Sequence, residues 1–359
     1  MFRRVLTLGL LAAALAWVSP AAAATAHLFS DDAPLKIVVT APFKDLVRTA
    51  KTSTNLYPAT LAVTDGAGAA QTLAIQLRAR GMTRRTGGYC DFPPLQLNFG
   101  DKATLKGTLF HGQHKLKLVT YCRDLGNFEQ RIVLEYLAYR LYNMLTPMSF
   151  RVRAAEVTYR NGANEAGVTR FGFLIEDLRD LAERNDLKPL KLAIHQLTPA
   201  QFDAHAAGRA ALFELLISNV DWDFLAAPAG FECCHNSRFI AASDKDPLKG
   251  VAPIPYDFDY SGLVDAPYAG PAVGLPVDKV TDRIYRGYCV SSGEIPALVE
   301  EFRAHRAEMM ALIADYPQLG ANVRTKTTHF LEGFFSMIDN PARVDMQIVH
   351  HCRTGAVTH

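Results

Sequence analysis

The sequence lacks an excess of charge of either sign. Lys and Arg number 38 against 36 Asp and Glu, a net of +2. No basic face or acidic tail therefore points to nucleic acid or to an anionic surface as partner. Internal repeats and low-complexity stretches are absent as well, which excludes stacked-repeat architectures. At 359 residues, 49% hydrophobic and 21% charged, the composition is globular, and one large bilobal domain or two intimate ones is expected. Long apolar runs are missing except at the start. Arg3 and Arg4, the apolar segment Val5 to Val18 and small-residue sites between Ala23 and Ala26 form a secretory signal peptide pattern. That run is shorter than the roughly 20 residues a spanning helix needs. The expectation is export to a periplasmic or extracellular compartment, with residues 1–24 as the signal, a mature start between Ala23 and His27, and no membrane span left after cleavage.

Cysteine is sparse, at six residues. In an oxidising compartment disulfides are the expected use, and six cysteines leave 15 pairings open. Cys90 and Cys122 flank one β-rich region and are the expected pair. The segments "CCH" at 233–235 and "HHC" at 350–352 offer zinc-binding residue types, but both lack C-x-x-C or H-x-x-x-H spacing.

What is present is order. Residues 33–125 carry short β-branched or alternating runs: "LKIVVTAP", "ATLAVTD", "LAIQLRARG", "LQLNFG" and "KLKLVTY". "DGAG" and "HGQH" are turn-like separators. "GTLFHGQHK" has glycines and a lysine but not the G-K-[ST] of a phosphate-binding loop, so it reads as strand-turn-strand. A helix follows from Phe128 to Leu145, with apolar residues at 133, 137, 141 and 144, ended by Thr146-Pro147. "FRVRAAEVTYRNG" and "AGVTRFGFLIED" form another strand pair. From about Asp177 helices dominate, with 198–217, 296–315 and 326–339 predicted.

Two Asp-aromatic-Asp pairs stand out just inside that helical half. Asp221 and Asp223 flank Trp222 where the apolar run 210–217 stops, and Asp257 and Asp259 flank Phe258 in "PIPYDFDYSG". A lone Asp at a helix end is usually a cap or an ion-pair partner. Two such pairs fit a centre in which one carboxylate orients a hydroxyl and others hold a hard cation with substrate phosphates.

At this point the sequence resembles the CotH kinase family, the spore-coat and secreted branch of the protein-kinase-like proteins. The resemblance rests on "RARGMTRR", "GQHKLKLVTY", "LEYLAYRLYNMLTP", "RFGFLIED", "SNVDWD" and "IPYDFDYSG", in that order, over roughly residues 75–265. It implies an α+β, bilobal protein-kinase-like fold: a β-rich N-lobe with one long helix over 25–175, and a mostly helical C-lobe over 176–359 carrying the catalytic loop. It also implies roles. Asp221 is the catalytic aspartate. Asp257 binds Mg²⁺ or Mn²⁺, with Asp259 as alternative. Lys117, or Lys115 on the same strand face, contacts the phosphates of an ATP-like nucleotide, and Glu135, or Glu129, pairs with that lysine. The family's G-x-G-x-x-G loop is missing, and Arg78, Arg80, Arg84 and Arg85 are candidates to replace its phosphate contacts, Arg80 foremost. The kinase spacing from base Asp to metal Asn falls on Ala226; the next Asn is Asn236, the candidate metal ligand. The implied function is phosphoryl transfer to an unknown protein or small-molecule acceptor. The alternative is a catalytically silent binding module of the cell envelope. A two-carboxylate glycosidase has only the Asp pairs in its favour.

Overall fold

The computed structural model describes residues 28–355 apart from 65–67, 69, 101, 229–232 and 246. The signal segment and its cleavage site between Ala23 and His27 lie outside the described residues. The first half of the chain runs β1 Leu35–Ala41, α1 Phe43–Thr49, β2 Tyr57–Thr64, β3 Ala70–Ala79, α2 Thr83–Thr86, β4 Leu95–Phe99, β5 Lys115–Val119, α3 Gly126–Leu145, β6 Val152–Asn161 and β7 Val168–Ile175. The second runs α4 Leu178–Glu183, β8 Lys188–Leu190, α5 Ala204–Leu216, β9 Ser237–Ala241, β10 Ala252–Pro255, α6 Ile295–Asp315, α7 Ala321–Ile338 and α8 Pro341–Val344.

The expected bilobal, protein-kinase-like fold is corrected by the topology. The seven strands β1 to β7 close into a barrel in the order β1-β2-β3-β4-β5-β7-β6. Six of its seven seams are antiparallel, and the last is a parallel pairing of β1 with β6, Leu35 opposite Ala155 through Ala41 opposite Asn161. Alternation was visible in each strand; the seam between segments so far apart in sequence leaves no local mark. A small sheet, β10-β9-β8, belongs to the second half and was not predicted.

Two cores result. Leu35, Ile37 and Val39 of β1 point into the barrel with Leu116 and Leu118 of β5 and Leu174 of β7. Each fully buried aliphatic side chain contributes about 1.5–3 kcal/mol, and they fill the lumen. The alternate residues, among them Val119, Val152, Ala154, Phe173 and Ile175, face outward, β6 and β7 pack on α3, and these side chains join the core of the helical body. α3 is accordingly buried on more than the stripe at 133, 137 and 141: residues 132–139 are all buried. The barrel wall is thus one wall of the helical body. No helix among the described residues is long and apolar enough to cross a membrane.

The expected Cys90–Cys122 disulfide is present, and Cys289 is joined to Cys352 and Cys233 to Cys234. The cysteines of the "CCH" and "HHC" segments thus serve disulfides, the use expected over zinc, and offer no thiolate. No cluster of three His, Cys, Asp or Glu suited to a metal occurs among the described residues.

Candidate active site

The polypeptide places one cleft of about 300 Å³ where the outer face of the barrel meets the helical body. Arg80, Lys117, Glu135, Asp221, Asn236, Asp257 and Asp259 all line it. The turn after β3 supplies Arg80, the outer face of β5 supplies Lys117, and the first half of α3 supplies Glu135. Asp221 follows α5, Asn236 precedes β9, and Asp257 and Asp259 follow β10.

Each Asp-aromatic-Asp pair sorts its side chains by face. Trp222 is fully buried and donates its indole N–H to the Asn219 carbonyl at 3.0 Å. Asp221 is left at the cleft, and Asp223 turns the other way. Asp223 is buried and accepts from Arg353 at 2.7 Å, from the Tyr288 hydroxyl at 2.9 Å and from the backbone N–H groups of Leu225 and Ala226 at 2.8 and 3.1 Å. Burial opposes its charge, but Arg353 and these donors outweigh that and lower its pKa. Asp223 fastens the loop to the C-terminal segment. In the second pair Phe258 is fully buried between Tyr139 and Phe213, at ring distances of 4.6 and 5.4 Å.

Asp221 is held at both oxygens. Oδ1 lies 2.7 Å from Nε2 of His235, and Oδ2 accepts from the Asn236 amide at 2.9 Å, which also reaches the Asp221 carbonyl at 2.7 Å. Burial works against a charge on His235, yet the hydrogen bond and charge of Asp221, with the charge of Asp257, raise its pKa above 6.5. A carboxylate has about four lone-pair sites, so Asp221 retains room for a further donor. Asn236 sits at φ +47° and Asp257 at φ +67°. This left-handed region costs most residues 1–2 kcal/mol, and Asn and Asp tolerate it best. The Asp257 N–H donates to the Tyr139 hydroxyl at 2.9 Å, while no donor among the described residues reaches its carboxylate. Gly262 closes the turn from below: a Cβ there would lie 2.6 Å from the Val280 carbonyl and 2.8 Å from Cβ of Ser218.

The electrostatics differ from the expected lysine–glutamate pair. Glu135 is paired with Arg84 at 3.2 Å, both buried, and Arg84 also donates to the Thr120 carbonyl at 2.7 Å. Burial raises the Glu135 pKa against the pull of Arg84. Lys117 has no carboxylate partner within ion-pair distance among the described residues. Its ammonium lies over the Tyr256 ring at 4.5 Å, and burial, helped by Arg80 and Arg238, lowers its pKa to about 7. Asp259 accepts from the Tyr268 hydroxyl at Oδ2, at 2.9 Å, and burial together with the charges of Asp257 and Glu135 pushes its pKa well up.

The alternatives separate in space. Lys115 lines a neighbouring cavity instead, and Glu129 accepts from the Phe171 N–H at 2.8 Å. Arg78 bonds Gln96 at 2.9 Å and Arg85 bonds the Ala50 carbonyl at 2.6 Å, so of the four arginines Arg80 alone reaches the cleft without a side-chain partner among the described residues. Sequence reasoning put His235 only among zinc-ligand types and did not find the Arg84–Glu135 pair or Arg238. The one available signal for His235 was its place beside Asn236. No protein-family model matches this chain, and no curated protein matches it.

Proposed function

We propose that the cleft transfers a phosphoryl group from a nucleotide to a hydroxyl acceptor, protein or small molecule, in an exported protein that shares the ordered site motifs of the CotH kinases without a kinase-like fold. Function resides in a site rather than in a fold. The observation that carries the reading is the convergence of Asp221, Asn236, Asp257, Asp259, Lys117 and Arg80, drawn from both halves of the chain, on one cleft.

The donor set fits Mg²⁺ or Mn²⁺. No donor among the described residues reaches the Asp257 carboxylate, and Asn236 spends its amide nitrogen on Asp221, leaving Oδ1 over. Asp259 is a buried acid whose ionisation is opposed by burial and by Asp257. Hard cations are commonly held by one or two carboxylates with substrate phosphates completing the shell. Such an ion, when bound, neutralises charge on the phosphate oxygens. Lys117 and Arg80 would hold the non-bridging oxygens. Asp221 would accept the acceptor's hydroxyl proton as the new P–O bond forms and the bond to the leaving phosphate breaks, with His235 and Asn236 fixing its orientation.

A silent binding module is the second reading, favoured by the engagement of both Asp221 oxygens. A melting series with nucleotide and Mn²⁺ on the disulfide-bonded protein separates the two. At 100 times Kd the stabilisation is about 2.7 kcal/mol. Asp257→Ala should abolish it, whereas Asp221→Ala should keep it and lose transfer. No stabilisation with any nucleotide sinks the enzyme reading; stabilisation without turnover leaves the binding module.

A further inference from the structure

Three basic side chains, Arg80, Lys117 and Arg238, stand along this wall without an ion-pair partner among the described residues. Lys117 Nζ lies 4.5 Å from the centre of the Tyr256 ring, and the Arg238 guanidinium carbon lies 4.6 Å from the same centre. Arg80 lines the cleft, Arg238 lines a second cavity of about 330 Å³, and Lys117 lines both. Like charges gathered on one ring repel each other, so the arrangement calls for an anion.

The acids of the second cavity supply it only in part. Glu176 is taken by Arg184 at 2.9 and 3.0 Å, while Asp177, which caps α4 by accepting from the Arg179 N–H at 3.0 Å, acts on Lys117 without forming an ion pair with it. Lys115 adds positive charge to the same cavity. On the cleft side Asp257 faces Lys117 without forming an ion pair with it, one carboxylate against three basic side chains.

We propose that Arg80, Lys117 and Arg238 form one continuous track for a linear oligophosphate, running from the cleft past Tyr256 into the second cavity. The inference rests on the reading of the cleft as a phosphate-handling centre and names the donor's class: a chain of three or more phosphates, free or carried by a nucleoside. A single phosphate meets part of the track; a chain meets all of it, with arginine forks suited to paired phosphate oxygens.

Titration calorimetry in EDTA with orthophosphate, tripolyphosphate and ATP tests this without metal. Tripolyphosphate should bind at least about tenfold more tightly than orthophosphate, as each added arginine–phosphate contact is charge-assisted. Arg238→Gln should remove most of that advantage and leave orthophosphate unchanged. Arg238→Lys, which keeps the charge and loses the fork, should fall between, and it keeps the test decisive if the Gln variant does not fold. Equal binding of tripolyphosphate and orthophosphate overturns the track, as does a folded Arg238→Gln protein with wild-type tripolyphosphate affinity. ATP binding more tightly than tripolyphosphate assigns the track to a nucleoside-borne chain; the reverse assigns it to free oligophosphate. Metal-free tripolyphosphate binding without any metal-dependent stabilisation would remove the transfer reading and leave the track standing.

Discussion

Lys117 is the residue whose environment speaks most directly to function. Its ordinary pKa of 10.5 falls to about 7, first through burial and then through Arg80 and Arg238. The unfolded chain therefore holds a proton that the folded one releases between pH 7 and about 10, so wild-type stability rises with pH over that window. Lys117→Met removes the buried charge. The variant should melt above the wild type at pH 6, and the gap should shrink towards pH 10; a gap independent of pH would show that Lys117 is not the titrating group. The linkage reverses when an anion binds, because the ligand favours the ammonium. Phosphate binding should then take up a proton above pH 7 and weaken by up to about tenfold per pH unit.

Among the elements, the loop after α5 depends on a segment far along the chain. Arg353 reaches Asp223 from beside the Cys289–Cys352 disulfide and also lies over the Trp222 and Tyr288 rings at 5.3 and 4.5 Å. Closing a loop of 63 residues is worth roughly 4 kcal/mol in the chain-entropy view. Arg353→Met should destabilise the protein by about 1.5–3 kcal/mol, the scale of one hydrogen bond to a charged group, because Asp223 keeps Arg286, the Tyr288 hydroxyl and two backbone N–H donors. Acid melts of the Asp223→Asn variant give the complementary check. The Asp223 pKa is depressed below 3.8, so its contribution is complete above that value and fades as pH falls through the folded pKa. The variant should lack that part of the acid limb. None of this was visible beforehand: an Asp beside a Trp reveals its charge, but not an arginine that arrives through a disulfide and a long helical hairpin. Asp221 and Asp257 were legible because a carboxylate that ends an apolar segment breaks a local pattern. Glu135 was legible as a candidate, yet its partner Arg84 sits in α2, whose approach depends on barrel closure.

For the whole molecule, barrel closure was the property hidden from the sequence. Each strand announced itself by alternation, but β1 finds its last neighbour only in β6. A fragment of residues 28–150 keeps β1 to β5 and lacks both closing strands, so β1 and β5 present open edges. Such edges pair with other chains. The fragment should elute as oligomers in size-exclusion chromatography under conditions in which the full chain does not; a well-dispersed monomeric fragment would contradict the closed topology.

The shared wall between barrel and helical body has a kinetic consequence. Two separately cored lobes joined by a connector can swing apart about a hinge. Here β5, β6 and β7 face one core with their inner side chains and the other with their outer ones, and the buried Arg84–Glu135 pair stitches the rim to α3. Opening the cleft by a rigid-body swing would tear the helical body's core from the barrel's outer face. A ligand of this cleft would therefore pass through a mouth of nearly fixed width, lined among others by Met82 and Tyr260.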